Sequence, residues 1–177
     1  MKENQENNPE IYDTWVNSCA GYCVITYILG IGDRHLENLM VNNKGNLFHI
    51  DFGFILGKDP KPYPPPMKLC KEMVEGMGGD KSAGYEKFKV KCCECFLELR
   101  KHGRLIVNLF HLMIHSGALG VNDPLKAIEK LHDRFRMDIN DEEAEKFLLD
   151  LLEASITNLM PQLMEKIHAW ALYWRKL

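Results

Sequence analysis

The chain has no apolar run long enough to cross a bilayer. Stretches such as YCVITYIL (residues 22–29) fall well short of the ~20 residues a spanning helix needs. It has no strong excess of charge. The formal net charge is −3, so a general polyanion-binding surface is not expected, and nucleic acid is not expected as a partner. Paired cysteine motifs are missing too: the six cysteines (19, 23, 70, 92, 93 and 95) make no CxxC pair, and CCEC has no second Cys/His pair at zinc-finger spacing. The opening MKENQENNPE lacks the apolar centre of a secretory signal and reads as a disordered lead-in over residues 1–10. Reduced cytosolic thiols are therefore expected.

What is present fits one soluble domain. A chain of 177 residues, 46% apolar and 27% charged, can bury a proper core. From about Ile11 to Leu29 the pattern is helical and stops at Gly30 and Gly32. NLMVNNKGNLFHID predicts a hairpin of two short β-prone runs around NNKGN. DFGFILGKDPKPYPPPMKL follows, with five prolines between 60 and 66, too many for helix or inner strand; it reads as a stiff loop of polyproline character. Beyond Met67 the chain turns mostly helical. RLIVNLFHLMIH places Leu105, Leu109, Leu112 and Met113 on one face and Arg104, Asn108, His111 and His115 on the other. His111 and His115 stand at zinc-ligand spacing but lack a third ligand, and read as surface histidines. Asp123-Pro124 is a cap and first-turn proline, Asn140 to Glu143 is a capping box, and Pro161 starts a last helix. No repeat or linker divides residues 11–177. The expected fold is mainly α (α+β): one hairpin and a long loop packed on a helical body.

The chemistry concentrates in GIGDRHLENLM (residues 30–40) and FHIDFG (48–53). Asp33, Arg34, His35 and Asn38 are each costly to bury unpaired, and they cluster between apolar runs. If the hairpin turn centres between Lys44 and Gly45, Asn38 lies opposite Asp51. If instead a three-residue turn carries a bulge at Gly45, the register moves by one and Met40 faces Ile50. In either register Asn38 and Asp51 are neighbours, with Cβ atoms on the order of 5 Å apart or a little more. An amide oxygen and a carboxylate at that separation suit a hard cation such as Mg²⁺, which takes few protein oxygens and completes its shell with water and phosphate. Asp33 and His35 are candidate proton acceptors beside it, as in the lower lobe of a phosphoryl-transfer site. Asp33 has the Asp-to-Asn interval of protein kinases, although the order here is D-R-H, the reverse of H-R-D. Histidine is the residue type that titrates nearest neutral pH, which favours His35 as base with Asp33 holding or polarising it. Arg34 reads as a brace for the loop, and His49 as packing beside the site.

GDRHLEN followed by LFHIDFG resembles the catalytic and activation segments of the phosphatidylinositol 3- and 4-kinase family. DPKPYPPPMKL, KEMVEGMGG and IHAWALYWRK narrow the resemblance to class III phosphatidylinositol 3-kinases, from about residue 12 to the end. The resemblance implies that Asn38 and Asp51 hold Mg²⁺ (or Mn²⁺) on ATP, that His35 deprotonates the 3-hydroxyl of the inositol ring with Asp33 in support, and that Met40 and Ile50 line the adenine pocket, which would require the bulged register. The proline-rich segment would be the activation loop that reads the lipid head group. Its cations, Lys58, Lys61 and Lys68, are sparse and partly offset by Asp59; this suits plain phosphatidylinositol better than inositides already carrying phosphates of about two charges each.

The last helix repeats Leu163, Ile167, Trp170, Trp174 and Leu177 at four-three spacing and ends in Arg175 and Lys176. With the resemblance, this reads as an interfacial helix in which Trp170 and Trp174 meet the bilayer. No glycine-rich phosphate loop or lysine-bearing strand precedes Asp33, so the chain is expected to be the C-terminal lobe of the catalytic domain, inactive without its N-terminal lobe. The alternative is a catalytically incomplete lobe that serves as a membrane- or partner-binding module. The resemblance also implies a cytoplasmic protein peripheral on endosomal and autophagic membranes, working with a pseudokinase-like scaffold and coiled-coil regulatory subunits.

Overall fold

A computed structural model describes residues 8–60, 64–65, 67–117 and 119–156. Helix α1 spans Pro9–Leu29. Its buried side chains fall at Tyr12, Trp15, Val16, Cys19, Ala20, Cys23, Val24, Tyr27 and Ile28, the helical repeat of a rod embedded along one side. The helix starts two residues inside the expected lead-in, because Pro9 lacks the amide hydrogen that a first helical position has no use for. It stops where the sequence says it should. Gly30 adopts a left-handed conformation (φ 56°, ψ 47°), its amide reaches the Tyr27 carbonyl, and Ile31 reaches the Thr26 carbonyl at 3.0 Å, which together close the last turn.

A 3₁₀ turn, Leu36–Asn38, leads into strand β1, Leu39–Val41, which pairs antiparallel with β2, Leu47–His49. The hairpin lies on α1: Leu47 is buried, and its amide donates to the Ser18 hydroxyl at 2.9 Å. Neither expected register is found. The pairs are Leu39 with His49, Met40 with Phe48 and Val41 with Leu47. The Asn42 carboxamide oxygen accepts from the amides of Lys44 and Asn46, both at 3.0 Å, and the Asn42 amide donates to the Asn46 carbonyl, leaving a three-residue loop with Gly45 at φ 85°. The loop length was legible, but Asn42 closes it against Asn46, which slides the register one step opposite to the shift expected.

Four further helices complete the body: α2 Lys71–Gly76, α3 Ala83–Lys101, α4 Gly103–Met113 and α5 Pro124–Arg134. A last described helix, α6, occupies 141–156. Helix α3 packs along α1, and Cys92, Cys93, Phe88 and Phe96 join the core there. The expected caps are made. Asp123 accepts from the Lys126 amide at 3.1 Å, and Asn140 and Glu143 exchange bonds of 2.9 and 3.1 Å. The structure is mainly α with one small antiparallel sheet, the expected fold class.

Helix α4 turns its apolar faces differently from the simple reading. Val107 is buried, and Ile106, Phe110 and Ile114 pack on the core, whereas Leu105, Leu109 and Leu112 are exposed. The helix is apolar on two sides, and spacing alone does not say which side meets the core. All six thiols are free, and burial pushes their pKa values up, that of Cys70 to about 11; such thiols are protonated and inert. Pro161, Trp170 and Trp174 lie outside the described residues, as does Lys61.

Candidate active site

Two loops form the site, and backbone hydrogen bonds join them. The Gly32 amide donates to the Phe54 carbonyl at 2.8 Å, Leu56 to Leu29 at 2.8 Å, and Gly57 to Gly30 at 2.9 Å. The chain after α1 thus runs beside the chain after Ile-Asp-Phe-Gly. A side chain at Gly32 would collide with the Lys58 carbonyl and with Asp59, so only glycine lets the two segments come this close.

Arg34 completes the join. Its Nε donates to the Gly32 carbonyl at 2.8 Å, Nη1 to Ile50 at 2.7 Å, and Nη2 to the Asp51 carbonyl. All three acceptors are backbone, and the guanidinium also lies over the Phe52 ring, 5.5 Å from its centroid. The brace expected of Arg34 is what the structure shows. With it in place, Asp33 and Asp51 both adopt left-handed backbone (φ 54° and 59°), a conformation that aspartate tolerates better than most residues.

Asp33, His35 and Asn38 meet on one side of this join. The Asn38 Nδ2 donates to the Asp33 carbonyl at 2.8 Å and lies 3.3 Å from His35 Nε2. The carbonyl can only accept, so the amide nitrogen must face it, and the same nitrogen then faces the imidazole. In the tautomer with the ring proton on Nδ1, which lies 3.9 Å from the Glu37 carboxylate, His35 Nε2 accepts from this nitrogen. Asp33 Oδ2 is 3.7 Å from Nε2, too far for a hydrogen bond but close enough to stabilise a proton arriving there. Asn38 is buried, and among the described residues its Oδ1 accepts no hydrogen bond.

The observed register puts Asn38 opposite Ile50, whose amide donates to the Asn38 carbonyl at 3.1 Å. Asp51 is thus one position beyond the direct partner. It is exposed; its Oδ1 accepts from the Gly53 amide at 3.1 Å, and Oδ2 has no described donor. One hard oxygen from Asn38 and one from Asp51 is the donor set Mg²⁺ takes when phosphates and water complete its shell. Among the described residues no three His, Cys, Asp or Glu side chains gather as a metal-binding group. Met40 and Ile50 share the outward face of the hairpin, 46% and 40% exposed, by the strand alternation. Their meeting does not need the bulged register, because an offset of two residues keeps the face.

Of the three lysines that the resemblance implies read the head group, Lys58 and Lys68 lie within the described residues. Lys58 is exposed and donates to the Gly120 carbonyl at 2.6 Å. Lys68 is not a free cation: its Nζ lies 2.7 Å from Asp59 Oδ2, with the two side chains 12% and 7% exposed. Sequence reasoning missed Asp59, which was counted only as an offsetting charge. The signal available was an acidic residue beside a proline at the loop's start and a lysine at its end. His49 is buried, packs on Tyr22 with ring centroids 4.7 Å apart, and has no described partner for either ring nitrogen. Burial, with the Arg34 charge behind it, lowers its pKa to about 4.

Residues 1–122 match the family described as phosphatidylinositol 3- and 4-kinase. The chain is 58% identical over 164 residues to the nodule isoform of phosphatidylinositol 3-kinase from Glycine max, which covers 92% of this chain and 20% of the relative. It is equally similar, 58% over 164 residues with the same coverage, to phosphatidylinositol 3-kinase VPS34 from Arabidopsis thaliana. The Saccharomyces cerevisiae VPS34 is 46% identical over 166 residues, 93% of this chain and 19% of the relative. The chain spans about a fifth of the length of the curated relatives it matches. The chain belongs to the phosphatidylinositol 3- and 4-kinase family.

Proposed function

We propose that these residues form the catalytic lobe of a lipid kinase that transfers the ATP γ-phosphoryl group to the 3-hydroxyl of phosphatidylinositol. The observation that carries this reading is the meeting of His35 Nε2 with Asp33 and Asn38 beside the Asp51 loop. With Nε2 unprotonated, His35 can take the hydroxyl proton as the oxygen attacks. Asp33 lies on the same nitrogen's side. Its part is to stabilise the imidazolium as it forms, unlike a carboxylate that orients a histidine through the opposite nitrogen. Asn38 and Asp51 would hold Mg²⁺, and Met40 and Ile50 would lie under the adenine. A bound metal would neutralise charge on the transferring phosphoryl group.

The names of the relatives support phosphatidylinositol as substrate. The family resemblance supports action on endosomal and autophagic membranes, with a pseudokinase-like scaffold and coiled-coil subunits, and membrane contact through Trp170 and Trp174. Of the proposed head-group cations, Lys58 is exposed beside Gly120, whereas Lys68 is engaged with Asp59.

The test is His35→Asn in a kinase polypeptide carrying this lobe and its nucleotide-covering partner lobe. Loss of roughly 10²–10⁴-fold in kcat, with the KM for ATP unchanged, is expected. The wild-type product, separated by position of its phosphate, should be the 3-phosphate. A 4-phosphate product, or full turnover in the variant, would overturn the assignment.

A further inference from the structure

We infer that Asp59 is a positioning residue: its carboxylate, oriented by Lys68, fixes the backbone of Asp33 and couples the proline-rich loop to the catalytic loop. Three observations meet at that carboxylate. The Asp33 amide donates to Asp59 Oδ2 at 3.3 Å, and Lys68 Nζ lies 2.7 Å from the same oxygen. Gly32, the residue before Asp33, has no room for a Cβ, and Asp59 is among the atoms that fill the space.

The two ends of the loop are independently anchored. Leu56 at one end and Met67 and Leu69 at the other are buried in the core, and the Cys23 thiol donates to the Lys68 carbonyl at 3.5 Å. Between these anchors the ion pair spans the base of the loop. Asp59 is thus shared by the loop's start, its end, and the backbone of a residue that touches the candidate base.

Charge explains why the pair matters. The pair lines a cavity whose wall also carries Lys58 and Arg134, and Asp59 is its one carboxylate among the described residues. Neutralising Asp59 would leave three cations facing one cavity and give the Asp33 amide at best a weaker, neutral acceptor that Lys68 no longer orients as an ion pair. Removing one member of a buried pair is more disruptive than removing both, because it leaves an uncompensated charge. Asp33 holds a left-handed backbone, and such a conformation persists only when its surroundings over-determine it. Losing the carboxylate therefore loosens Asp33 first.

The test has two arms. The first uses the full 177-residue chain and reads amide hydrogen exchange in Asp59→Asn, Asp59→Glu, Lys68→Met, Lys68→Arg and the double variant Asp59→Asn with Lys68→Met. Asp59→Asn and Lys68→Met should each speed exchange at the Asp33 amide by about tenfold or more, leaving α1 and α3 protected. The double variant should do no worse than the more damaging single one, since the residues act as a pair. Lys68→Arg should retain most of the protection. Should the truncating variants unfold, Asp59→Glu decides, because it keeps the charge and displaces the carboxylate. Unchanged Asp33 exchange in Asp59→Glu and Asp59→Asn, or additive effects in the double variant, overturns the inference.

The second arm rests on the lipid kinase reading and uses the larger kinase polypeptide. Asp59→Asn and Lys68→Met should both lower kcat/KM for phosphatidylinositol by roughly tenfold, with the KM for ATP within about twofold of wild type. If Lys68 itself reads the head group, Asp59→Asn would free it and lower the lipid KM while Lys68→Met raises it, and the inference falls. A wild-type enzyme that makes no 3-phosphoinositide defeats the lipid reading alone; the exchange arm still decides the role of Asp59.

Discussion

Burial takes His49 out of the range in which a histidine ordinarily titrates. Its ring packs on Tyr22, the Arg34 charge stands nearby, and its pKa falls to about 4 from the usual 6.5. The neutral form is the one that packs, so between those values the unfolded chain binds the extra proton. Stability due to His49 is therefore complete above pH ~6.5 and lost as pH falls toward 4, by up to about 3 kcal/mol. Urea unfolding of wild type and His49→Phe between pH 4 and 7 measures this. The wild type should lose stability on acidification faster than the variant, in which an aromatic ring still packs on Tyr22 and the titration is gone. Parallel curves for the two proteins would remove the effect. At this scale the sequence was legible where partners are close along the chain: Asp33, His35 and Asn38 lie within six positions and do meet. It was opaque where partners are distant. Asp59 bonds residues 26 and 9 positions away, and no local pattern distinguishes it from a solvated loop carboxylate.

Helix ends were more legible than helix faces. Gly30, Asp123-Pro124 and Asn140 with Glu143 all act as the caps their residue types imply, because a cap is made within one turn of chain. Which side of α4 meets the core, and which way the hairpin slides, depend on what lies across the gap. Arg100 shows the same dependence between elements. It stands at the end of α3, 8% exposed, and donates to the carbonyls of Phe135 at 3.0 Å, Arg136 at 2.9 Å and Ile139 at 2.7 Å, besides pairing with Asp141 at 2.6 Å. Those acceptors belong to the turn between α5 and α6, whose own backbone supplies only the Ile139 amide to the Arg136 carbonyl, at 3.5 Å. Arg100→Met should leave the Phe135 and Ile139 carbonyls short of a donor and the Arg136 carbonyl with only the Ile139 amide at 3.5 Å, and cost about 2–4 kcal/mol. Asn140→Ala, which removes one side of the capping box, should cost about 1 kcal/mol. Chemical denaturation of both variants gives the comparison, and equal losses would mean that Arg100 does no more than a cap.

The outward face of the whole molecule bears on what the chain can do unaided. Met40 and Ile50, 46% and 40% exposed, share the outward face of the hairpin, and Phe52 just beyond it is 49% exposed. Leu105, Leu109 and Leu112 are more exposed still, along α4. Apolar residues gathered in this way mark surfaces that something else covers, and the relatives are about five times as long as this chain. A nucleotide lying on Met40 and Ile50 would be held from one side only, with its phosphates open to water. Phosphoryl transfer depends on positioning and on charge stabilisation away from water, so half a cleft forfeits most of the available rate. The purified 177-residue chain is therefore expected to show negligible turnover of ATP with phosphatidylinositol vesicles, even with Mg²⁺ supplied. Measurable 3-phosphoinositide formation by the chain alone, abolished by His35→Asn, would show that one lobe suffices and that the outward hairpin face is not where a second body must sit.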